Sequence, residues 1–183
     1  MGETVKPVKM DQEYYEAVEY LATIQSEDSF GNSDENHALS VFVVLFKKAK
    51  NKVRIFAHNL CSNVPNSNEY INELKDFLEN RNGEVEILLE EKPDDKSLKE
   101  NPVFEMLRSV KSNKWKIKQT NARAKYGEYE INFSTVGDNM YRIEYEKDKR
   151  TARCCFNNRK ITEKLNILFD KFFTIANPIS LTC

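Results

Sequence analysis

The sequence predicts an α/β domain: a single mixed β-sheet of about six strands flanked by helices. Three observations predict it. Two short apolar runs, 53–57 and 85–89, enclose a stretch of helical period, which describes a strand–helix–strand unit. Beyond residue 127 the period shortens to two, in runs at 129–136, 140–146 and 151–156 joined by short turns. Amphipathic helical stretches stand at both ends. The chain has 183 residues, 40% of them hydrophobic, enough to bury one core, and no shift in composition divides it. Residues 1–183 therefore read as one domain, with an N-terminal helix and loop (1–36), a core (37–176) and a tail (177–183).

In order along the chain, residues 12–25 set Tyr14, Val18 and Leu21 on one helical stripe, with Tyr15 and Ala22 beside it. Residues 26–36 read as a polar loop in which Ser33 or Asp34 caps the next helix, and Glu35 suits its first turn. The segment 36–50 is apolar all round at its centre. Its length and its terminal Lys47, Lys48 and Lys50 favour helix over strand. After the strand at 53–57, Ile71, Leu74, Phe77 and Leu78 mark a helix at 67–81 that Asn82-Gly83 stops. A charged loop, 90–100, follows the strand at 85–89. Asn101-Pro102 then opens a helix carrying Val103, Leu107 and Val110. The third strand is 115–119, and a loop at 121–127 precedes the meander. Gly137-Asp138-Asn139 and Asp148-Lys149 are its turns. A last helix, capped near Asn158, carries Ile161, Leu165, Leu168, Phe169 and Phe172 and ends at Asn177-Pro178.

Composition removes several classes of function. No apolar run is long enough to cross a bilayer and no secretory leader is recognisable, so a cytoplasmic protein with no membrane partner is expected. Cys61, Cys154, Cys155 and Cys183 lack metal-ligand spacing. Adjacent Cys154 and Cys155 point to opposite faces of a strand, so reduced thiols and no metal are expected. Gly-rich phosphate loops, Ser–His–Asp sets and His-Glu-x-x-His are absent, and no cofactor is expected. The formal net charge of −1 conceals two regions. Residues 11–35 hold Asp11, Glu13, Glu16, Glu19, Glu27, Asp28, Asp34 and Glu35 with no Lys or Arg. Residues 106–127 hold Arg108, Lys111, Lys114, Lys116, Lys118, Arg123 and Lys125 with no acid.

From Lys48 to Phe173 the order of elements resembles one half of a phospholipase D-like protein. KKAKNKVRIFAHNL, GEVEILLEE and KWKIKQTN are similar to the family's first three strands. STVGDNMYRIEYEKDKRTARCCFNN resembles its degenerate members, in which a Tyr-Arg-x-Glu hairpin leads to Phe-Asn-Asn and a last helix. Active members carry His-x-Lys-x4-Asp, with the histidine as nucleophile. Here no His-x-Lys occurs. With the aspartate at Asp138, the His and Lys positions hold Ile131 and Phe133; one residue shorter, the three positions hold Glu130, Asn132 and Gly137. A covalent phosphohistidine needs an imidazole in line with phosphorus, so the resemblance implies a fold without its chemistry. It also implies a regulatory or assembly module that binds a protein partner or forms a homodimer. Degenerate relatives accompany microbial defence and other multi-gene systems.

Two sets of candidate residues follow. Lys114, Lys116 and Lys118 alternate along one strand, with Arg123 and Lys125 on the next loop. Such a strip can neutralise phosphates of nucleic acid, although edge strands also carry lysines simply to block pairing. Trp115 and Ile117 alternate inward. In the hairpin, pairing Glu146 with Thr151 puts Arg142, Glu144 and Arg153 on one face, an anion site or an ordinary cross-strand ion pair. His58 stands just past a strand end, where α/β folds bind ligands, with no acid identifiable as its partner. A phosphodiesterase or nuclease completed by another subunit is the remaining alternative.

Overall fold

The computed structural model describes residues 8–181. Helix α1 (Gln12–Thr23) is capped by Asp11, whose Oδ1 accepts the Tyr14 N–H, and it buries Tyr15, Val18 and Ala22. Strand β1 (Phe30–Asn32) follows, then α2 (Glu35–Lys48), capped by Asp34. Leu39, Val41, Val43, Val44, Leu45 and Phe46 of α2 are all buried, which explains why it lacks a polar face.

Next come β2 (Lys52–Ala57), α3 (Asn68–Glu79), β3 (Glu84–Leu89), α4 (Asp95–Glu100), α5 (Pro102–Ser109) and β4 (Trp115–Gln119). Strands β2, β3 and β4 are parallel neighbours, as crossover helices require. Then β5 (Ala124–Tyr126), β6 (Tyr129–Val136), β7 (Met140–Glu146) and β8 (Thr151–Cys155) run antiparallel. Helix α6 (Arg159–Ile175) and β9 (Asn177–Pro178) close the chain.

The strand order is β1-β8-β7-β6-β2-β3-β4-β9, with β5 pairing to β6. Helices α1 to α5 cover one face of this open mixed sheet, over a core that includes Val44, Ile55, Leu74, Ile87 and Leu107. Helix α6 alone covers part of the other face, where Phe133, Ile143, Leu165 and Phe169 pack together.

The six expected strands are all present, and the sheet has nine. The three additions lie in segments that read as loop or tail. Strand β1 falls inside 26–36, β5 inside 121–127 and β9 at the start of 177–183. Each has two or three residues, too few for alternation to register, and each exists because a longer neighbour offers an unpaired edge. The charged loop 90–100 likewise contains α4, capped by Asp94. Buried stripes rotate by about one residue from expectation. In α6 they are Thr162, Leu165, Phe169 and Phe173, with Ile161, Leu168 and Phe172 only partly buried. Cys183 and the last residues of the expected tail lie outside the described residues.

Asn82 adopts a left-handed conformation (φ 56°) after α3, and the Gly83 N–H returns to the Phe77 carbonyl at 2.9 Å. A Cβ on Gly83 would lie 2.2 Å from the fully buried Phe77 ring. Gly83→Ala is therefore expected to destabilise the chain by about 1–3 kcal/mol, through overpacking. A lowered urea midpoint with an unchanged slope would verify this; an unchanged midpoint would show that the ring moves aside freely.

Candidate functional site

Ligands of parallel α/β sheets gather outside the carboxyl ends of the strands. At that end, a crevice of about 190 Å³ opens between the loop after β2, the middle of β6 and β7, and the Phe42 side of α2. Asn66 shapes the loop: its Nδ2 donates to the Leu60 carbonyl at 2.9 Å and the Ser62 carbonyl at 2.8 Å, with Leu60 left-handed (φ 60°). The sheet's contribution follows from register. Asn132 pairs with Glu144 and Ser134 with Arg142, so these four side chains share the face that looks into the crevice.

Arg142 and Glu144 are only 4% exposed, and Arg142 Nη2 lies 2.8 Å from Glu144 Oε2. Arg142 Nε donates to Asn32 Oδ1 at 3.1 Å, and the guanidinium sits 4.9 Å from the Phe42 ring centre. The other carboxylate oxygen of Glu144 takes Arg150 Nη1 at 3.3 Å, and Asn32 Nδ2 donates to the Arg150 carbonyl. Arg150 reaches inward from a left-handed backbone (φ 56°), a conformation that costs a non-glycine residue about 1–3 kcal/mol and needs such surroundings.

The Arg–Glu–Arg cluster therefore exists, but its third member is Arg150 and not Arg153. Glu146 pairs with Thr151 as expected. A bulge at Tyr145 then shifts the ladder, so that Glu144 faces Ala152, Ile143 faces Arg153 and Arg142 faces Cys154. Arg153 turns to the α6 side of the sheet, while Cys154 joins Arg142. Cys154 and Cys155 do point to opposite sides. Burial, first of all, pushes the Cys154 thiol up to about 12, which leaves it protonated and a poor nucleophile.

His58 stands at the mouth of the crevice, 57% exposed, and two carboxylates flank it. Nδ1 lies 3.5 Å from Glu90 and Nε2 lies 3.0 Å from Glu91. Spacing along the chain carries no sign of these partners, because a strand end and a loop bring them together. Glu90 is buried, and it also accepts Lys147 Nζ at 3.1 Å and lies 3.9 Å from Arg123 Nε.

The cationic strip is partly spent. Lys118 Nζ donates to the Phe173 carbonyl at 2.9 Å and sits 4.4 Å from that ring's centre. Lys114 is bound to Asn82, and Arg123 is drawn toward Glu90. Lys116 keeps 67% of its side chain exposed, and Lys125 is exposed. Trp115 faces the α1–α5 core, as expected. Two cations that sequence spacing could not associate with the strip lie beside it. Arg54, Glu86 and Lys116 form one cross-strand row, and Lys52 reaches Glu86 at 3.3 Å, opposite Lys116 at 3.7 Å. Arg54 is held by Asp170 of α6 at 3.0 Å. Among the described residues, no group of three or more His, Cys, Asp or Glu converges as a metal site, and no helix is long and apolar enough to cross a membrane.

No family model and no curated protein matches the chain. Solved structures do. TrmBL2, an archaeal chromatin protein with a novel mode of DNA binding, superposes with a TM-score of 0.61 at 11% identity, over 92% of this chain and 61% of its own. This chain thus spans less than two thirds of that protein. Nuc from Salmonella typhimurium, a phospholipase D family member, gives 0.56 at 10% identity, over 83% of this chain and 99% of its own. NucT from Helicobacter pylori gives 0.55 at 11%, again over 83% and 99%. The chain has a phospholipase D-like fold.

Buried Glu144 binds two guanidinium groups, and the second, Arg150, also lies 4.0 Å from Glu35. Glu144→Ala is expected to cost about 3–5 kcal/mol, because it strands the buried Arg142 charge. Arg153→Ala, on the far side of the bulge, should cost under about 0.5 kcal/mol. Chemical denaturation of the two variants measures the contrast; equal effects would contradict this assignment of faces.

Proposed function

We propose that this chain is a non-catalytic nucleic-acid-binding module built on a phospholipase D-like fold. The observation that carries the first half is the lining of the crevice. Where an imidazole would have to attack phosphorus, β6 presents Asn132 and Ser134, and β7 presents an arginine already neutralised by Glu144. His58, flanked by two carboxylates at the mouth, has no lysine beside it in the crevice lining to hold a phosphate.

The cationic row on the α6 side of the sheet supports the second half. Lys52, Arg54, Lys116 and Lys118 stand against three acids, Glu84, Glu86 and Asp170, and Lys116 is exposed. The fold likeness to a DNA-binding chromatin protein points the same way. A regulatory or assembly role through a protein partner, or a homodimer, is the second reading. It is favoured by the exposed acids of α1, Glu13 and Glu16, which complement this row.

Duplex DNA binding measured across a salt series tests the proposal. Affinity should fall steeply between about 50 and 200 mM salt, and Lys52→Ala with Lys116→Ala should flatten the slope by about one unit for each phosphate no longer neutralised. Binding to neither duplex nor single strand, or binding that ignores salt, removes the nucleic-acid reading and leaves the protein partner. A bis-aryl phosphodiester should not turn over above background; turnover abolished in His58→Ala would restore an enzyme.

A further inference from the structure

The α6 side of the sheet holds a second concavity, of about 460 Å³, beside the β5–β6 and β7–β8 hairpins. Tyr126, Tyr129, Tyr141 and Tyr145 line it together with Phe30 and Arg153. Arg153 is its one charged lining residue, and no carboxylate lines it. Among the described residues, no hydrogen bond or ion pair holds the Arg153 guanidinium.

The groove is a consequence of the bulge. A regular β7–β8 ladder would have sent Arg153 to Glu144; the extra residue, Tyr145, turns it toward Ile143 and the tyrosines. Gly31 faces Arg153 across the β1–β8 pair and, without a side chain, leaves the floor open. Tyr126, Tyr129 and Tyr145 are 51%, 61% and 37% exposed. Scattered exposed aromatics mean little, whereas three gathered around an unpaired cation form a recognition surface. Tyr129 and Tyr145 meet edge to face, centroids 6.1 Å apart, so at most one face of one ring is occupied by the pair.

Open aromatic faces beside a free guanidinium suit a ligand that alternates flat π-systems with anionic groups. Exposed Lys160 and Lys164 lie on the helix whose Ile161 borders the groove, while exposed Asp28, Glu128 and Glu130 adjoin its lining residues along the chain, so the place for an anion is at Arg153 itself. A proline-rich peptide could use the tyrosines but offers Arg153 only carbonyl oxygens and no anion of its own. Duplex DNA keeps its bases stacked on one another and cannot use them.

We propose that this groove binds nucleotides of a single-stranded nucleic acid, the bases against Tyr129 and Tyr145 and a phosphate at Arg153. The proposal rests on the nucleic-acid reading above and adds to it a site for unpaired strands.

Fluorescence anisotropy of a fluorescein-labelled oligothymidylate, compared with a duplex of equal length, tests it on the full chain. Tyr129→Ala, Tyr145→Ala and Arg153→Ala replace partly or largely exposed side chains, and circular dichroism confirms that each variant folds. Losing one stacked base should weaken single-strand binding by roughly 5- to 150-fold and leave duplex binding unchanged. Tyr129→Phe should retain affinity, since stacking uses the ring and not the hydroxyl. Single-strand binding unaffected by Tyr129→Ala and Tyr145→Ala would overturn the groove. Binding of duplex alone would overturn it while leaving the broader reading in place, and binding of neither would end both. A labelled proline-rich peptide retained by the chain and released in Tyr129→Ala would assign the groove to protein recognition instead.

Discussion

The buried Arg142–Glu144 pair is the constraint around which this end of the sheet is organised. A carboxylate and a guanidinium so removed from water are tolerable only when their remaining donors and acceptors are matched. Arg142 is matched by Asn32, which requires β1 to lie against β8. Glu144 is matched by Arg150, which requires the 147–150 turn to fold inward through a left-handed residue. One ion pair thus ties together an N-terminal strand, the middle of the meander and its last turn. It also fills the crevice with charge that is already neutralised.

That filling bears on function. A site for phosphoryl chemistry needs a nucleophile and unsatisfied cations waiting for the substrate. Here the crevice cations, Arg142 and Arg150, are paired with Glu144, Asn32 or Glu35, and the imidazole at the mouth has carboxylates on both sides. Exposed cations lie on the opposite side of the sheet, at Lys116 in the partly open row and at Arg153 in the tyrosine groove. Both lie on the face that α6, a single helix, leaves incompletely covered.

The bulge at Tyr145 links these two sides. Side chains alternate along a strand, so inserting one residue exchanges the faces of everything beyond it. Arg153 leaves the crevice for the groove, and Cys154 takes the place beside Arg142. The turn composition allowed a regular hairpin as readily as a bulged one. The bulged form is the one that places Ala152 and Cys154 in the α1–α5 core and leaves the bulky, charged Arg153 outside it.

Whatever depends on local period and local stops was legible in the residues alone. The six longer strands follow from their apolar runs, and the main helices follow from periodicity and from caps such as Asp34, Asn158 and the Asn82-Gly83 stop. The missing His-x-Lys is likewise plain from the order of residues. Features that depend on meeting across the chain emerged only on folding: the short strands β1, β5 and β9, the acids on either side of His58, Arg150 in place of Arg153, and the withdrawal of Lys118 onto Phe173. The physical reason is the same in each case. A two- or three-residue strand, or a charge balanced by a distant partner, gains its free energy from a neighbour far away in sequence, so no local pattern records it.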